Sequence, residues 1–427
     1  MKLLVVCPDY MSHLVPMLQV ASEWRRRRGE VVVATGETNR PLVQGAGLVW
    51  TELRLGKGSN GGVIRAEEQP VGEDDHLRAF FDATRAGPIA TLRHQAEARR
   101  HDLLHEPDRV LDRLTEVLAS VRPDRVVVDH VAFGARLALC ALGVEAATMV
   151  LGHPSALPAT GELYGLPPEW PDALRPDTAD LLSLAQTCRE SVEDLRRSSQ
   201  EVLDRRAPER GAIGDLTSTP GHPTIYVYPE ALHDRRRPLP PDHVFIGSLA
   251  RVEALGDTRP PPGRGPRVTV ALGSFLSARD DVLASAVDAA RSGGWRLALA
   301  HGSSDPTTLG PAPDGALITR HLPQVALLEH TDVIVHHGGN GSVTEAAAAG
   351  VPMVVLPFST DQFAAAAAIE RCGLGVVLAP NTSTAEDLVA AVDEVLGSDA
   401  PQRARAVAES IRLTGGAAAA VEAIAGT

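Results

Sequence analysis

A glycine-rich turn in the second half of the sequence combines the residue types that bind a phosphate group. Residues 336–342 read HHGGNGS and lie between a short apolar run, which predicts a buried strand, and an alanine-rich run, which predicts a helix. Small residues let the backbone approach a ligand, and the free N–H groups at a helix start favour negative charge. His337 adds a side-chain donor, and Glu345 offers an acceptor for ribose hydroxyls. A tight turn without a ligand is the alternative interpretation.

Four further polar residues follow, or end, other apolar runs. Asp361 and Gln362 follow the strand predicted over residues 353–356, Asp129 ends the strand predicted from residue 125, and His13 follows the strand predicted over residues 2–7. In open α/β sheets, ligands bind at the carboxyl ends of the strands. We therefore expect these side chains to face one cleft, although Asp129 and Asp361 are also suited to cap the helices that follow them.

The elements that position these residues alternate between strand and helix through both halves of the chain. Seven prolines between residues 235 and 267 interrupt the alternation and predict a linker. The expected fold class is α/β, with two Rossmann-like, doubly wound parallel sheets facing each other across a cleft. The expected domains are 1–235 and 267–405, joined by a linker at 236–266, with a C-terminal helix at 406–427 that crosses back to the first domain.

The composition limits the classes of function. The formal net charge of −13 argues against nucleic acid as a partner. The apolar start of the chain is too short for a signal peptide or a membrane span. Four scattered cysteines lack metal-ligand spacing and predict a reduced, cytoplasmic protein. The first predicted strand is not followed by a G-x-G-x-x-G turn, which counts against a dehydrogenase.

The order of motifs in the second half resembles the donor-binding region of the UDP-glycosyltransferase superfamily. The matching pattern is H-x-G-x-x-S from His337, then Glu345, Gly-Val-Pro from residue 350, and Asp361-Gln362. The form is closer to the bacterial natural-product and antibiotic members than to the plant members. The resemblance implies the GT-B fold, and an inverting transfer of a hexose or deoxysugar from a UDP- or dTDP-sugar to a hydroxyl group.

The resemblance also assigns roles around the donor. Asp361 and Gln362 are expected to bind the sugar, and His321, which stands where relatives carry a stacking tryptophan, is expected to face the base with Gln324 and the backbone of Val325. Glu345 is expected at the ribose. No Asp-x-Asp pair is placed to hold a metal-bound diphosphate, so neither a metal nor another cofactor is expected. The residues predicted to contact the diphosphate are Ser274, His337, Gly339, Asn340, Gly341 and Ser342.

Sugar transfer requires a base for the acceptor hydroxyl, and histidine titrates near neutral pH. The His-x-x-Pro sequence at His13 resembles the catalytic histidine motif of the family, and Asp129 matches the aspartate that orients it. A lone loop histidine without a catalytic role is the alternative for His13.

The acceptor is expected to be a hydrophobic small molecule, by resemblance to enzymes that modify antibiotics. Phe81, Tyr164 and Trp170 are expected to contact it, and the glycine-rich segment 56–75 is expected either to form a wall over it or to be a surface insertion. The expected assembly is a monomer or a homodimer. Two other functions stay open from the sequence: a non-hydrolysing sugar-nucleotide epimerase on the same fold, and a non-catalytic auxiliary partner of a glycosyltransferase.

Overall fold

The structure is a computed structural model that describes residues 1–56, 73–218, 221–249, 253, 255–256, 258–276 and 278–426, apart from a few side chains within these ranges. The predicted wall at 56–75 therefore lies largely outside the described residues. Its last three residues belong to a helix that begins at Glu73.

The first domain is built on a seven-stranded parallel sheet with the strand order β3-β2-β1-β4-β5-β6-β7. Valine and leucine fill the inner strands on both faces because helices cover both sides of the sheet. The strands are β1 (Leu3–Val6), β2 (Val31–Thr35), β3 (Val49–Glu52), β4 (Arg125–Asp129), β5 (Ala147–Val150), β6 (Thr224–Tyr226) and β7 (His243–Phe245). The helices are α1 (Met11–Arg27), α2 (Arg40–Gly45), α3 (Glu73–Ala86), α4 (Pro88–Asp102), α5 (Pro107–Val121), α6 (Phe133–Leu142) and α7 (Thr178–Arg206).

The second domain repeats the design with a six-stranded parallel sheet in the order β10-β9-β8-β11-β12-β13. Its strands are β8 (Arg267–Ala271), β9 (Arg296–Ala300), β10 (Leu317–Thr319), β11 (Val333–His336), β12 (Met353–Val355) and β13 (Gly375–Val377). Its helices are α8 (Gly273–Leu276), α9 (Asp280–Ser292), α10 (Gln324–Leu328), α11 (Asn340–Ala349), α12 (Gln362–Arg371), α13 (Ala385–Gly397) and α14 (Ala400–Arg412). A last helix, α15 (Gly416–Ala425), follows.

The first sheet extends into the segment predicted as the linker. Residues His243–Phe245 form β7, which pairs in parallel with β6 through Ile225 and Val244. The linker prediction is therefore wrong for these three residues, because prolines flank the strand without entering it. Strands β3 and β13 were also not predicted from the sequence. Strand β3 has two polar residues among its four, and β13 is only three residues long and begins with glycine.

Helix α15 packs on the first domain. Its buried residues Ala420, Val421 and Ile424 join the cluster that contains Trp24 of α1. The turn before the helix is held by the hydroxyl of Thr414, which donates to the carbonyl oxygen of Ile246 at 2.9 Å. The end of the chain thus connects the two domains at a site away from the cleft.

The domains also pack directly on each other. Tyr226 and Tyr228, at the end of β6, share one buried cluster with Val343 of α11 and Ile369 of α12. The carboxyl ends of both sheets face the space beside this contact, and residues that follow β1, β4 and β5 line the same cavity as residues that follow β8, β11 and β12. This arrangement brings the polar residues of the two halves together.

Candidate active site

A cavity of about 1040 Å³ lies between the two domains. On the first-domain side it is lined by His13, His130, Gly152 and Tyr164. On the second-domain side it is lined by ten of the residues predicted to bind the donor: His321, Gln324, His337, Gly339, Asn340, Gly341, Ser342, Glu345, Asp361 and Gln362. A volume of this size accommodates a ligand larger than an ordinary drug molecule.

His13 lies in the first turn of α1, which begins two residues earlier, at Met11. Its Nδ1 is 2.8 Å from Oδ2 of Asp129, which is fully buried at the end of β4. A charged carboxylate accepts a hydrogen bond, so Nδ1 carries the hydrogen and Nε2 has a free lone pair. Because β1 and β4 are neighbours in the sheet, residues that follow one strand meet residues at the end of the other.

The pKa of His13 is raised and the pKa of Asp129 is lowered, as expected for two groups of opposite charge in contact. Burial lowers the pKa of His13, but the charge and hydrogen bond of Asp129, with the charge of Asp361, outweigh it and raise the pKa above its ordinary value. Burial raises the pKa of the Asp129 carboxyl, yet His13 and His130 hold it well below its usual range. Asp129 is therefore ionised at neutral pH and His13 is a stronger base than free imidazole.

Asp129 has further partners that fix its orientation. Its Oδ1 accepts the backbone N–H of Val131 at 2.9 Å and lies 3.2 Å from Nδ1 of His130. The rings of His13 and His130 are stacked, with centroids 5.9 Å apart. From the sequence, His130 is a less favoured candidate for the base than His13, and its contact with Asp129 was not predicted. Among the described residues, these three side chains alone form a group whose potential metal-ligand atoms all lie within 4.8 Å of one another.

The phosphate-binding turn has the geometry that its sequence predicts. Gly338 takes a φ of +84°, which favours glycine, and Gly339 is the residue before α11. The first N–H groups of α11 have no acceptor inside the helix. Burial lowers the pKa of His337 to about 4, although a hydrogen bond to the Ala271 backbone opposes this shift, so its ring is neutral at pH 7. Its Nδ1 is buried and has no hydrogen-bond partner among the described residues.

Two predicted donor residues make hydrogen bonds across the cleft. Asn340 donates from Nδ2 to the carbonyl oxygen of Val227 at 3.0 Å. Oδ2 of Asp361 accepts the backbone N–H of His153 at 2.6 Å. A third bond joins the backbone N–H of Thr360, which has a φ of +53°, to Oε1 of Gln95 at 3.2 Å. The predicted sugar-binding region therefore also holds the domains together, which the sequence did not indicate.

The side chain of Gln362 is buried and largely occupied within its own loop. Its Oε1 accepts the backbone N–H groups of Phe358 and Ser359 at 3.0 and 3.2 Å, and its Nε2 donates to the hydroxyl of Ser359. At the ribose position, Nε2 of Gln324 donates to Glu345 at 2.7 Å. This hydrogen bond from Gln324 orients the Glu345 carboxylate beside the cavity.

The backbone N–H of Val325, predicted to pair with the base, has an internal partner. It donates to Oε2 of Glu253 at 3.0 Å, and Glu253 itself lines the cavity. His321 is exposed at the cavity edge, where Arg320 stands beside it. The Ser274 backbone belongs to α8, but its side chain lies outside what the structure describes, so its predicted phosphate contact stays a prediction.

Of the three aromatic residues predicted to bind the acceptor, only Tyr164 lines the cavity. Trp170 stacks on Phe363 of α12, with ring centroids 5.0 Å apart, inside a cluster between the domains. Phe81 lies with Phe80 in a cluster formed with the second-domain sheet. The predictions for Trp170 and Phe81 are corrected: both are packing residues of the domain contact.

Comparisons with known proteins find relatives in one family. A family model described as the C-terminal domain of erythromycin biosynthesis protein CIII-like proteins matches residues 296–419. Demethyllactenocin mycarosyltransferase of Streptomyces fradiae is 30% identical over 329 residues, covering 76% of this chain and 68% of that protein. The 4'-demethylrebeccamycin synthase of Lentzea aerocolonigenes is 30% identical over 409 residues, covering 92% and 91%.

Solved structures of glycosyltransferases share the fold. The glycotransferase of kitacinnamycin superposes with a TM-score of 0.71 at 22% identity, covering 99% of this chain and 97% of that one. The spinosyn rhamnosyltransferase SpnG complexed with thymidine diphosphate gives a TM-score of 0.65 at 20% identity, covering 99% of both chains.

The fold is thus that of the GT-B glycosyltransferases. The chain belongs to the bacterial natural-product glycosyltransferases of the UDP-glycosyltransferase superfamily, and it is a glycosyltransferase of the antibiotic type that uses nucleotide sugars. This membership favours transfer over the epimerase and auxiliary-protein alternatives. No helix in the described part of the chain is long and apolar enough to cross a membrane.

Proposed function

We propose that this protein is an inverting, metal-independent glycosyltransferase that moves a sugar from a dTDP- or UDP-sugar to a hydroxyl group of a hydrophobic small molecule. The observation that carries the proposal is that His13, paired with buried Asp129, lines the same cavity as the start of α11. One side of the cavity thus offers a base, and the other offers N–H groups for a diphosphate.

In the proposed reaction, Nε2 of His13 takes the proton of the acceptor hydroxyl. The acceptor oxygen forms a bond to the anomeric carbon on the face opposite the nucleotide, while the bond from that carbon to the diphosphate oxygen breaks. Asp129 holds the imidazole in the required tautomer and stabilises the imidazolium that forms. The configuration at the anomeric carbon is therefore inverted.

The leaving diphosphate carries the developing negative charge. The N-terminus of α11 and the neutral ring of His337 are the groups that stabilise it. Aligned N–H groups can do this without a metal, because the helix dipole adds a partial positive charge at the same place. Glycosyltransferase structures of the same fold that hold thymidine diphosphate support dTDP as the nucleotide.

The acceptor is proposed to bind on the first-domain side of the cavity. Tyr164 lies there, with its ring edge-on to Phe133 at 5.7 Å between centroids. Val15 and Leu166 also line this part, so an apolar molecule is favoured over a bare sugar.

The test is product formation from purified protein. The protein is incubated with dTDP- and UDP-glucose and hydroxylated polyketide or aromatic acceptors, with and without EDTA. Mass spectrometry detects the product, and the proton coupling at the anomeric carbon reports its configuration. We expect an EDTA-insensitive β-glycoside from the α-configured donor. An α-glycoside, or activity that EDTA abolishes, would contradict the proposal.

A further inference from the structure

Arg99 brings a permanent positive charge to the first-domain side of the cavity. Among the described lining residues that precede Leu249, Arg99 is the only lysine, arginine, aspartate or glutamate. Its neighbours there are neutral: Tyr164, Gly165, Leu166 and Pro167. A guanidinium group that loses contact with water costs free energy unless an anion or an aromatic face compensates.

The position of the Arg99 side chain is well defined. The guanidinium carbon lies 4.9 Å from the centre of the Tyr164 ring, a cation–π contact. The group also lies directly over Gly165, where an added Cβ would come within 2.7 Å of Nη1. Gly165 has a φ of +88°, which also favours glycine. The segment between β5 and α7 therefore accommodates the Arg99 side chain, which extends from α4.

Unlike Arg100 on the same helix, Arg99 has no carboxylate partner among the described residues. Arg100 donates to Asp194 at 2.5 Å and lies 3.5 Å from Glu190, and Arg93 donates to Ser183. Within the described residues, Arg99 forms no ion pair with a carboxylate, and Tyr164 provides its one charge-compensating contact. The planar guanidinium is well suited to bind a carboxylate through two parallel hydrogen bonds.

We infer that the acceptor carries an anionic group, and that Arg99 binds this group as a carboxylate while the reacting hydroxyl faces His13. The inference rests on the proposed function, because it places the acceptor on the first-domain side of the cavity. It narrows the substrate class from a hydrophobic alcohol or phenol to a hydrophobic hydroxy acid. Arg99 is then a specificity-determining residue.

The alternative is a structural role. Arg99 also borders a smaller groove of about 190 Å³ with Arg100, Glu201 and Arg205 on the outside of the domain. If the Arg99 guanidinium faces that groove, its only role is to pack against the Tyr164 ring and hold it in position. This role predicts that removing the charge affects charged and uncharged acceptors alike.

The test compares two probes that differ only in charge: 6-hydroxy-2-naphthoic acid and its methyl ester. Their dissociation constants are measured by calorimetry with dTDP present, for the wild type, Arg99→Gln and the control Arg100→Gln. We expect the wild type and Arg100→Gln to bind the acid about tenfold more tightly than the ester, and Arg99→Gln to lose this preference. Arg99→Lys keeps the charge without the two-pronged geometry and should retain part of the preference.

Three results would overturn the inference. They are a wild type that fails to prefer the acid, a preference that survives Arg99→Gln, and an equal loss of affinity for both probes in that variant. Failure of the proposed function would show differently, as an absence of sugar transfer to any acceptor. A wild type that glycosylates neutral acceptors and fails to prefer the acid would retain the function and refute only the inference.

Discussion

The imidazole of His13 and the carboxylate of Asp129 form a hydrogen bond of 2.8 Å, although 116 positions of sequence separate the two residues. The carboxylate is fully buried and its second oxygen accepts the N–H of Val131. A buried anion is costly unless its partners are retained, so the contact is a fixed feature of the site. It leaves Nε2 as the ring nitrogen that can exchange a proton with a ligand.

The pairing predicts a defined pH dependence. His13 acts as a base only when Nε2 is unprotonated, so kcat/KM should fall as the pH drops through the His13 pKa. Asp129 is the main reason that this pKa is raised, so the acidic limb of the wild type should lie above about 6.5, the ordinary histidine value. In Asp129→Asn the negative charge is lost, the pKa falls, and the limb should move to lower pH while the plateau rate drops about a hundredfold or more. The measurement is kcat/KM against pH for both proteins, and an unmoved limb would contradict the assignment of Asp129.

The second prediction concerns Glu253, whose carboxylate accepts the N–H of Val325. If that N–H pairs with a nucleobase, the donor must displace Glu253 first, which costs binding free energy. Glu253→Ala should therefore bind dTDP more tightly, by about threefold to tenfold, which is within the range of one hydrogen bond. Calorimetric titration with dTDP checks this. An affinity that is unchanged or weaker would show that Val325 does not contact the base through this group.

The third prediction separates packing from acceptor binding. Trp170 stacks on the buried Phe363, so Trp170→Ala should lower the free energy of unfolding by about 1–3 kcal/mol. Tyr164→Ala, by contrast, should mainly raise the KM for the acceptor, because Tyr164 lines the cavity. Denaturant unfolding and acceptor titrations distinguish the two effects. A stable Trp170→Ala variant with impaired acceptor binding would restore the role that the sequence suggested.

The fourth prediction tests the phosphate-binding turn. Gly339 has an ordinary φ of −64°, so alanine is conformationally allowed there, but the added methyl would overlap the imidazole of His337. Gly339→Ala should displace that ring and reduce kcat about tenfold to a hundredfold. Gly45→Ala is the matched control, since a Cβ at that helical position meets no atom within 4 Å. Equal activity in both variants would remove His337 from the proposed diphosphate site.

The strand ends that position the site could be predicted from the sequence. Short apolar runs followed by polar residues place His13, Asp129 and Asp361 at the carboxyl edges of parallel sheets, and the described cavity contains or adjoins all three. This succeeds because a buried parallel strand reads as a continuous apolar run. It fails for the short, partly exposed strands β3, β7 and β13.

The contacts between the domains could not be predicted in this way. Phe81 and Trp170 were predicted to bind the acceptor because they are aromatic, but both pack in the contact between the domains. The local sequence around an aromatic residue does not distinguish one that binds a ligand from one that packs at a domain contact. Asn340 likewise stands in a phosphate-binding turn but donates to Val227 in the other domain. Whether each of these side chains faces the cavity or the other domain depends on partners more than a hundred residues away in the sequence. A local sequence pattern contains no information about such partners.

In the proposed mechanism, the imidazole of His13 takes the acceptor proton opposite a helix that holds the diphosphate. The most direct measurement is the turnover of His13→Ala at saturating donor, together with the thermal stabilisation that dTDP gives the same variant. We predict a fall in kcat of about a hundredfold to ten-thousandfold with the stabilisation by dTDP unchanged. A His13→Ala enzyme that turns over at the rate of the wild type would contradict the account.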